Sequence, residues 1–190
     1  MQVNEESFKV TSYSREGIGY QGNMPGNYVF VTVGTTSFDD LIKSVCQPKT
    51  CQILNKGGYG KLLLQVGRGD YEPQADMISG LNIEHYRYKD SIADDIKHAS
   101  LVISHAGAGS VFEALGAERP LIVVINEKLM GNHQVELAAQ LQEDNHLYYT
   151  TCSNLQQCLK TMDLKTLVPY TPGTPETFRN YLDKIMGFKT

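Results

Sequence analysis

No Gly-Lys-Ser or Gly-Lys-Thr tripeptide occurs in the 190 residues, which excludes the phosphate loop of nucleoside triphosphatases. The four cysteines, Cys46, Cys51, Cys152 and Cys158, form no C-x-x-C pair and have no histidine pair at zinc-finger spacing, so reduced cytosolic thiols are expected. No apolar run reaches the length of a bilayer-spanning helix, and the N-terminus lacks the basic and apolar regions of a secretory signal. A soluble chain is expected, with any membrane residence supplied by a partner or a lipid. Nor does one charge dominate: a net −4 with acids and bases interspersed offers no polyanion track and no basic membrane patch, so nucleic acid is not an expected partner. No D-x-D or similar carboxylate pair stands out as a metal clamp, and no internal repeat or low-complexity tract breaks the chain.

What is present is a series of short apolar runs alternating with helical patterns, long enough for one domain with a full core. Residues 1–27 are polar and glycine-bearing without a sustained period, and read as a flexible extension. Tyr28–Val33 is a β-branched and aromatic run that stops at Gly34. Phe38–Val45 continues with Leu41, Ile42 and Val45 on one helical face. Between them Gly34-Thr35-Thr36-Ser37 is either a ligand cradle or an ordinary loop in which Ser37 caps the helix and Asp39 and Asp40 occupy its first turn; the two roles are compatible. Lys61–Val66 reads as the next strand and ends in Gly67-Arg68-Gly69, where Arg68 either reaches a ligand or sits exposed in a turn. A loop over Asp70–Leu81, a short strand over Asn82–Tyr86 and a helix over Ser91–His98 follow. Beyond lie strands over Leu101–His105, Leu121–Ile125 and Leu147–Thr150, with helices from Ser110, from Asn132 and over Leu155–Met162. Pro169–Pro175 is a linker, and residues 176–186 close with Phe178, Leu182, Ile185 and Met186 on one stripe.

This order predicts an α/β fold with an open, doubly wound, mostly parallel sheet of Rossmann-like form, in which ligands bind past the carboxyl ends of the strands. The stretch Leu101–Glu113 carries the clearest signal. A buried strand ends at Ser104 and His105, a glycine turn follows, and a helix begins, so free N–H groups and a helix dipole aim at one anion-sized spot. A dinucleotide site is disfavoured, because Phe112 stands where the third glycine of G-x-G-x-x-G belongs. Ser110 and Glu113 also spell a capping box, which would stabilise the helix with no ligand at all.

The spacing His105, Gly107, Ser110, Glu113, followed by Pro120, an apolar strand and His133-Gln134, resembles the donor site of two-domain nucleotide-sugar glycosyltransferases. Plant UDP-sugar transferases carry His-x-Gly-x-x-Ser-x-x-Glu at the same spacing; His133 stands where their pattern has an acid. Val31–Asp39, Tyr86–Ser91, Ile103–Ser110 and Val124–Met130 are together similar to the catalytic subunits of the eukaryotic UDP-GlcNAc transferase of dolichol-linked oligosaccharide synthesis. That resemblance runs from Tyr28 to about Phe188 and places the chain with glycosyltransferase family 28. It implies the donor-binding half of a GT-B fold, also seen in the bacterial peptidoglycan UDP-GlcNAc transferase.

Carried over by position, the resemblance implies donor contacts from Gly34, Thr35, Thr36, Tyr88, Lys89, His105, Gly107, Gly109, Ser110, Glu113, Asn132, His133 and Gln134. His105 would take the catalytic role at the leaving diphosphate, Glu113 would accept from the ribose and Gln134 would read the sugar. The implied reaction is inverting transfer of GlcNAc from UDP-GlcNAc to dolichol-pyrophosphate-GlcNAc in a β-1,4 linkage, with no metal and no cofactor. The resemblance also implies a membrane-anchored, acceptor-binding partner subunit that recruits a cytoplasmic chain to the cytosolic face of the endoplasmic reticulum. Residues 28–168 would form the donor domain, and residues 169–190 a linker and docking helix using Phe178, Leu182, Ile185 and Met186. The alternative is a catalytically silent paralogue that keeps donor binding as a regulatory module.

Overall fold

A computed structural model describes residues 27–74, 77–128 and 132–173, with the side chains of residues 132–134 left out. The first 26 residues of the expected extension and the expected docking residues Phe178, Leu182, Ile185 and Met186 lie outside the described residues.

Seven strands form one sheet. They are β1 (Tyr28–Thr32), β2 (Lys61–Gln65), β3 (Met77–Ile78), β4 (Leu81–Tyr86), β5 (Leu101–His105), β6 (Leu121–Ile125) and β7 (Tyr148–Thr151), in the spatial order β3-β4-β2-β1-β5-β6-β7. Every pairing is parallel except the two-residue edge strand β3 against β4. That edge strand corrects the loop expected over Asp70–Leu81: two residues are too short to show an alternating pattern, and they are held by pairing with β4. Among the described residues six α-helices pack on the sheet: α1 (Asp39–Val45), α2 (Pro48–Lys56), α3 (Ala93–His98), α4 (Ala108–Gly116), α5 (Asn132–Glu143) and α6 (Leu155–Thr161).

The central strands are built on apolar runs such as Val29–Val31, Leu62–Leu64 and Leu101–Ile103 because both faces of the sheet are covered, as a parallel sheet requires. On one face Val29, Val31, Leu62, Leu64, Ile103 and Val124 pack with Leu41 and Ile42 of α1, Leu54 of α2 and Leu155 of α6. On the other, Phe30, Leu63, Val102, Leu121 and Val123 pack with Ile96 of α3, Val111 and Leu115 of α4, and Leu141 of α5. A fully buried side chain such as Phe30 contributes about 1.5–3 kcal/mol relative to leaving it exposed.

This winding fixes where a ligand fits. From β1 the chain builds outward through β2 to β4, then returns through α3 to place β5 on the other side of β1. The loops after β1 and β5 therefore diverge to opposite faces and leave a crevice between them, the switch point of a doubly wound sheet. Its first lip is locked onto the turn after β2. Gly67 holds φ +58°, and a Cβ there would lie 2.2 Å from the Thr36 carbonyl oxygen, so only glycine lets the two backbones meet. The Arg68 amide donates to that same oxygen at 2.9 Å. Arg87 seals the turn from below, its guanidinium donating to the Gly67 and Gly69 carbonyls at 3.2 and 2.9 Å and to Glu72 at 2.6 Å. The Asp39 carboxylate accepts from the Asp70 and Tyr71 amides at 3.1 and 3.3 Å.

A candidate active site at the switch point of the sheet

At the end of β1 the Thr32 hydroxyl, fully buried, accepts a hydrogen bond from the Gly34 amide at 2.9 Å and donates one to the Gln65 side-chain amide oxygen Oε1 at 2.5 Å. One hydroxyl thus shapes the Gly34 turn and ties it to β2. At the end of β5 the His105 ring fills the space between the two loops. A Cβ on Gly34, where φ is +62°, would lie 2.9 Å from His105 Cε1, and a Cβ on Gly107 would lie 2.3 Å from His105 Nε2. The imidazole is held between two glycines because no larger residue leaves it room. Its Nδ1 lies 3.4 Å from the Thr32 carbonyl oxygen. Burial lowers the His105 pKa below its usual 6.5, partly opposed by that contact, so the ring is neutral at pH 7.

Beyond His105 the chain turns straight into α4. Gly107 is the residue before the helix, with extended backbone, and no side chain caps it. The first intrahelical bond runs from the Val111 amide to the Gly107 carbonyl at 3.1 Å, which leaves the Ala108, Gly109 and Ser110 amides without helical partners. The expected capping roles are corrected here. Ser110 is the third residue of α4 rather than its cap, so Ser110 and Glu113 make no capping box; Phe38, not Ser37, precedes α1. The helix begins three residues earlier than a Ser110 cap would place it, because the glycine turn at Gly107 already supplies the extended conformation that a cap needs.

A cleft of about 450 Å³ opens over these elements, within the range of small-molecule sites. It is lined by the Gly34-Thr35-Thr36 turn, Gln65, His105, Gly107, Gly109, Ser110 and Glu113, with Lys89-Asp90-Ser91-Ile92 of the loop after β4 as a further wall. Lys89 is the one cationic side chain lining it among the described residues, and its charge is already engaged. The ammonium bonds both Asp95 carboxylate oxygens at 2.9 and 2.8 Å and lies 4.2 Å from the Tyr86 ring centre. Asp95 also accepts from the Tyr86 hydroxyl at 2.6 Å, and its backbone carbonyl accepts from the Tyr28 hydroxyl at 2.7 Å. Desolvation first, and the Asp95 charge second, push the Tyr28 phenol up to about 12, and the Tyr86 phenol is raised further for the same reasons with the Asp95 hydrogen bond added. Both stay neutral donors. An anion in this cleft therefore meets backbone amides, a helix dipole and hydroxyls, while Asp90 and Glu113 offer acceptors to a ligand's hydroxyl groups.

The sequence profile of the glycosyltransferase family 28 C-terminal domain matches residues 28–185. The chain belongs to that family. A human relative, the UDP-N-acetylglucosamine transferase subunit ALG13, is 56% identical over 124 residues, which is 65% of this chain and 11% of the human protein. The chain thus spans about a tenth of the length of that relative. Among solved structures, the NMR solution structure of ALG13 superposes with a TM-score of 0.63 at 24% identity, covering 85% of this chain and 97% of that one. The MurG crystal structure from Acinetobacter baumannii superposes at 0.60 with 20% identity, covering 88% of this chain and 51% of MurG. At these identities the structural likenesses speak for the fold: the chain has the architecture of one half of MurG.

Within this family 28 domain, the expected site residues Gly34, Thr35, Thr36, Lys89, His105, Gly107, Gly109, Ser110 and Glu113 are brought to one cleft by the loops after β1 and β4, the end of β5 with its turn, and α4. Tyr88 is half exposed and does not line it. Arg68 is exposed and contributes its amide to the turn. Asn132, His133 and Gln134 open α5, and their side chains lie outside the described residues. Sequence reasoning passed over Gln65, Asp90, Ser91 and Ile92. Gln65 had left a trace, as the polar residue closing the run Leu62-Leu63-Leu64 at a strand's carboxyl end.

The two helix-start glycines separate packing from ligand access. Gly107→Ala should destabilise the fold by roughly 1–3 kcal/mol in urea denaturation, because its Cβ drives into His105. Gly109→Ala should be neutral or stabilising by up to about 1 kcal/mol, since nothing lies within 4 Å of the added methyl. Equal losses for the two would contradict this geometry.

The His105 titration is a second check. The unfolded chain protonates this ring near 6.5 and the folded chain only at lower pH, so stability should rise as pH increases through the interval between the two values. An NMR titration of the His105 ring should give a midpoint below 6.5; a midpoint above it would mean the ring is not desolvated in this way.

Proposed function

We propose that the chain is the donor-binding subunit of an inverting glycosyltransferase that transfers GlcNAc from UDP-GlcNAc to dolichol-pyrophosphate-GlcNAc, forming a β-1,4 linkage. The observation that carries this reading is the convergence of His105, Gly107, Ser110 and Glu113 with the Gly34–Thr36 turn on one cleft at the switch point. Membership of family 28 and the human relative, a UDP-N-acetylglucosamine transferase subunit, support the same substrate class.

In the proposed mechanism the diphosphate of UDP-GlcNAc lies against the Ala108–Ser110 amides and the Gly34 turn, and Glu113 accepts from the ribose hydroxyls. The acceptor's 4-hydroxyl oxygen attacks the anomeric carbon from the face opposite UDP. The bond from that carbon to the β-phosphate oxygen breaks, and its electron pair leaves with UDP. Negative charge grows on the diphosphate in this step, and amides already aimed at it stabilise that charge without having to reorganise. His105 acts at the same leaving group, where a neighbouring anion favours the protonated ring and raises its pKa from the free value. The proton lost by the acceptor hydroxyl goes to a base on a partner subunit.

That partner also supplies the acceptor site and the membrane. No helix among the described residues is long and apolar enough to cross a bilayer; in this reading another chain presents the lipid-linked acceptor. We place this subunit at the cytosolic face of the endoplasmic reticulum, held there by a membrane-anchored, acceptor-binding protein. Residues 28–168 serve as the donor domain, and residues 169–190, with Phe178, Leu182, Ile185 and Met186, as the docking segment.

Calorimetric titration of the 190-residue chain tests the reading. UDP-GlcNAc should bind, Glu113→Ala should weaken it by about tenfold through loss of hydrogen bonds to a charged acceptor, and NADH should not compete. Turnover of a dolichol-linked acceptor should require the membrane partner. Rapid transfer by the purified chain alone would place the base and the acceptor site here and overturn the two-subunit account.

A further inference from the structure

Gln65 plays no part in the patterns that point to a sugar-nucleotide site, yet it occupies a demanding position. It ends β2 with only 4% of its surface exposed, and its side chain lines the cleft. A buried carboxamide must place two N–H donors as well as its oxygen. The oxygen is settled: Gln65 Oε1 accepts from the Thr32 hydroxyl. That hydroxyl has a single proton to donate, and one of its two lone pairs accepts from the Gly34 amide at 2.9 Å. The three groups therefore form a directed chain, from the Gly34 N–H through the Thr32 O–H to the Gln65 oxygen. Turned the other way, the amide would give the Thr32 oxygen a second donor and leave its buried proton without an acceptor among the described residues, so the amide oxygen faces Thr32 and the nitrogen points away.

The nitrogen has no such partner. Gln65 Nε2 makes no hydrogen bond to any described residue, and it is not among the sealed, unpartnered atoms of the interior, which are Asp39 Oδ1 and His85 Nδ1. A donor that is neither bonded nor sealed, on a side chain that lines the cleft, is presented to what the cleft holds. Its place in the sheet narrows the target. β2 pairs with β1 on one side and β4 on the other, so Gln65 stands between the Gly34 turn and the Lys89–Ile92 wall. A nucleotide whose diphosphate meets the Gly34 turn and the start of α4 passes over this amide.

We propose that Gln65 is a ligand-contacting residue of the donor site, its Nε2 donating a hydrogen bond to an oxygen of the uridine diphosphate half of the donor. Thr32 is its positioning residue. The assignment rests on reading the cleft as a UDP-GlcNAc site. A phosphate oxygen and a uracil carbonyl are both acceptors of the kind a carboxamide N–H recognises, and the choice of ligands in the test separates the β-phosphate from the uridine monophosphate portion.

The test is calorimetric titration of the full chain with UDP-GlcNAc, UDP and UMP. Gln65→Glu keeps the shape and the acceptor for Thr32 but removes the donor; Gln65→Leu removes both without adding charge. Each should weaken UDP binding by about tenfold or more, the scale of a lost hydrogen bond to a charged group. A loss seen with UDP alone assigns the contact to the β-phosphate, and a loss shared with UMP assigns it to the uridine monophosphate portion. Thr32→Val should weaken binding by releasing the amide, and Thr32→Ser, which keeps the hydroxyl, should restore it. In the wild-type chain the Gln65 side-chain NH2 resonances should shift on adding UDP, a readout that a purely structural glutamine would not give and that does not depend on a variant folding. Gln65→Leu and Gln65→Glu binding UDP within twofold of wild type, or unmoved NH2 resonances at saturating UDP, would overturn the assignment. If the wild-type chain itself does not bind UDP-GlcNAc, the donor-site reading fails; if it binds and the Gln65 variants bind equally well, only this assignment fails.

Discussion

The close approach of two strand ends governs this site. β1 and β5 are neighbours whose continuing loops diverge, and the His105 imidazole fills the gap so tightly that the residues on either side, Gly34 and Gly107, have no room for a Cβ. Once the ring is seated there, the rest follows. Gly34 takes a positive φ, the Thr32 hydroxyl can reach its amide, and Gly107 turns the chain so that α4 starts with its free amides facing the same space. The site is built from backbone positioned by packing, with the polar side chains fixed as a consequence.

In the proposed function, that construction is what lets a chain of net charge −4 receive an anion. The cleft does not depend on a free lysine or arginine. Lys89 is committed to Asp95, and the Tyr28 and Tyr86 phenols around that pair are kept neutral by burial. Attraction comes from oriented N–H groups and a helix dipole, which are strong at short range and fall away within a turn of the helix. Such donors are also suited to chemistry in which charge appears on a leaving group, because they are already in place before it forms. Neutral His105 adds a group that can take up a proton when an anion arrives.

Much of the fold could be read from the residues, because buried parallel strands announce themselves as unbroken apolar runs such as Val29–Val31 and Leu121–Ile125. The carboxyl ends of the runs at Tyr28–Val33 and Leu101–His105 pointed to loops that line the cleft. What escaped were features set by tertiary contact. The edge strand β3 is only two residues long and exists through its partner. The start of α4 is decided by the Gly107 turn, so serine preference at Ser110 and Ser37 was a poor guide. Gln65 looked like the polar end of an apolar strand; its meaning depends on Thr32 across the sheet, 33 residues away.

The central claim is that backbone amides from two separate loops jointly receive the donor's diphosphate. It is tested most directly by 15N–1H spectra of the isotopically labelled chain during addition of UDP-GlcNAc. The account predicts that the amide signals of Gly34, Thr35 and Thr36 and those of Ala108, Gly109 and Ser110 shift together along one saturation curve, while amides of α2 and α6 stay fixed. Shifts confined to one loop, or centred on α2 and α6, would contradict it.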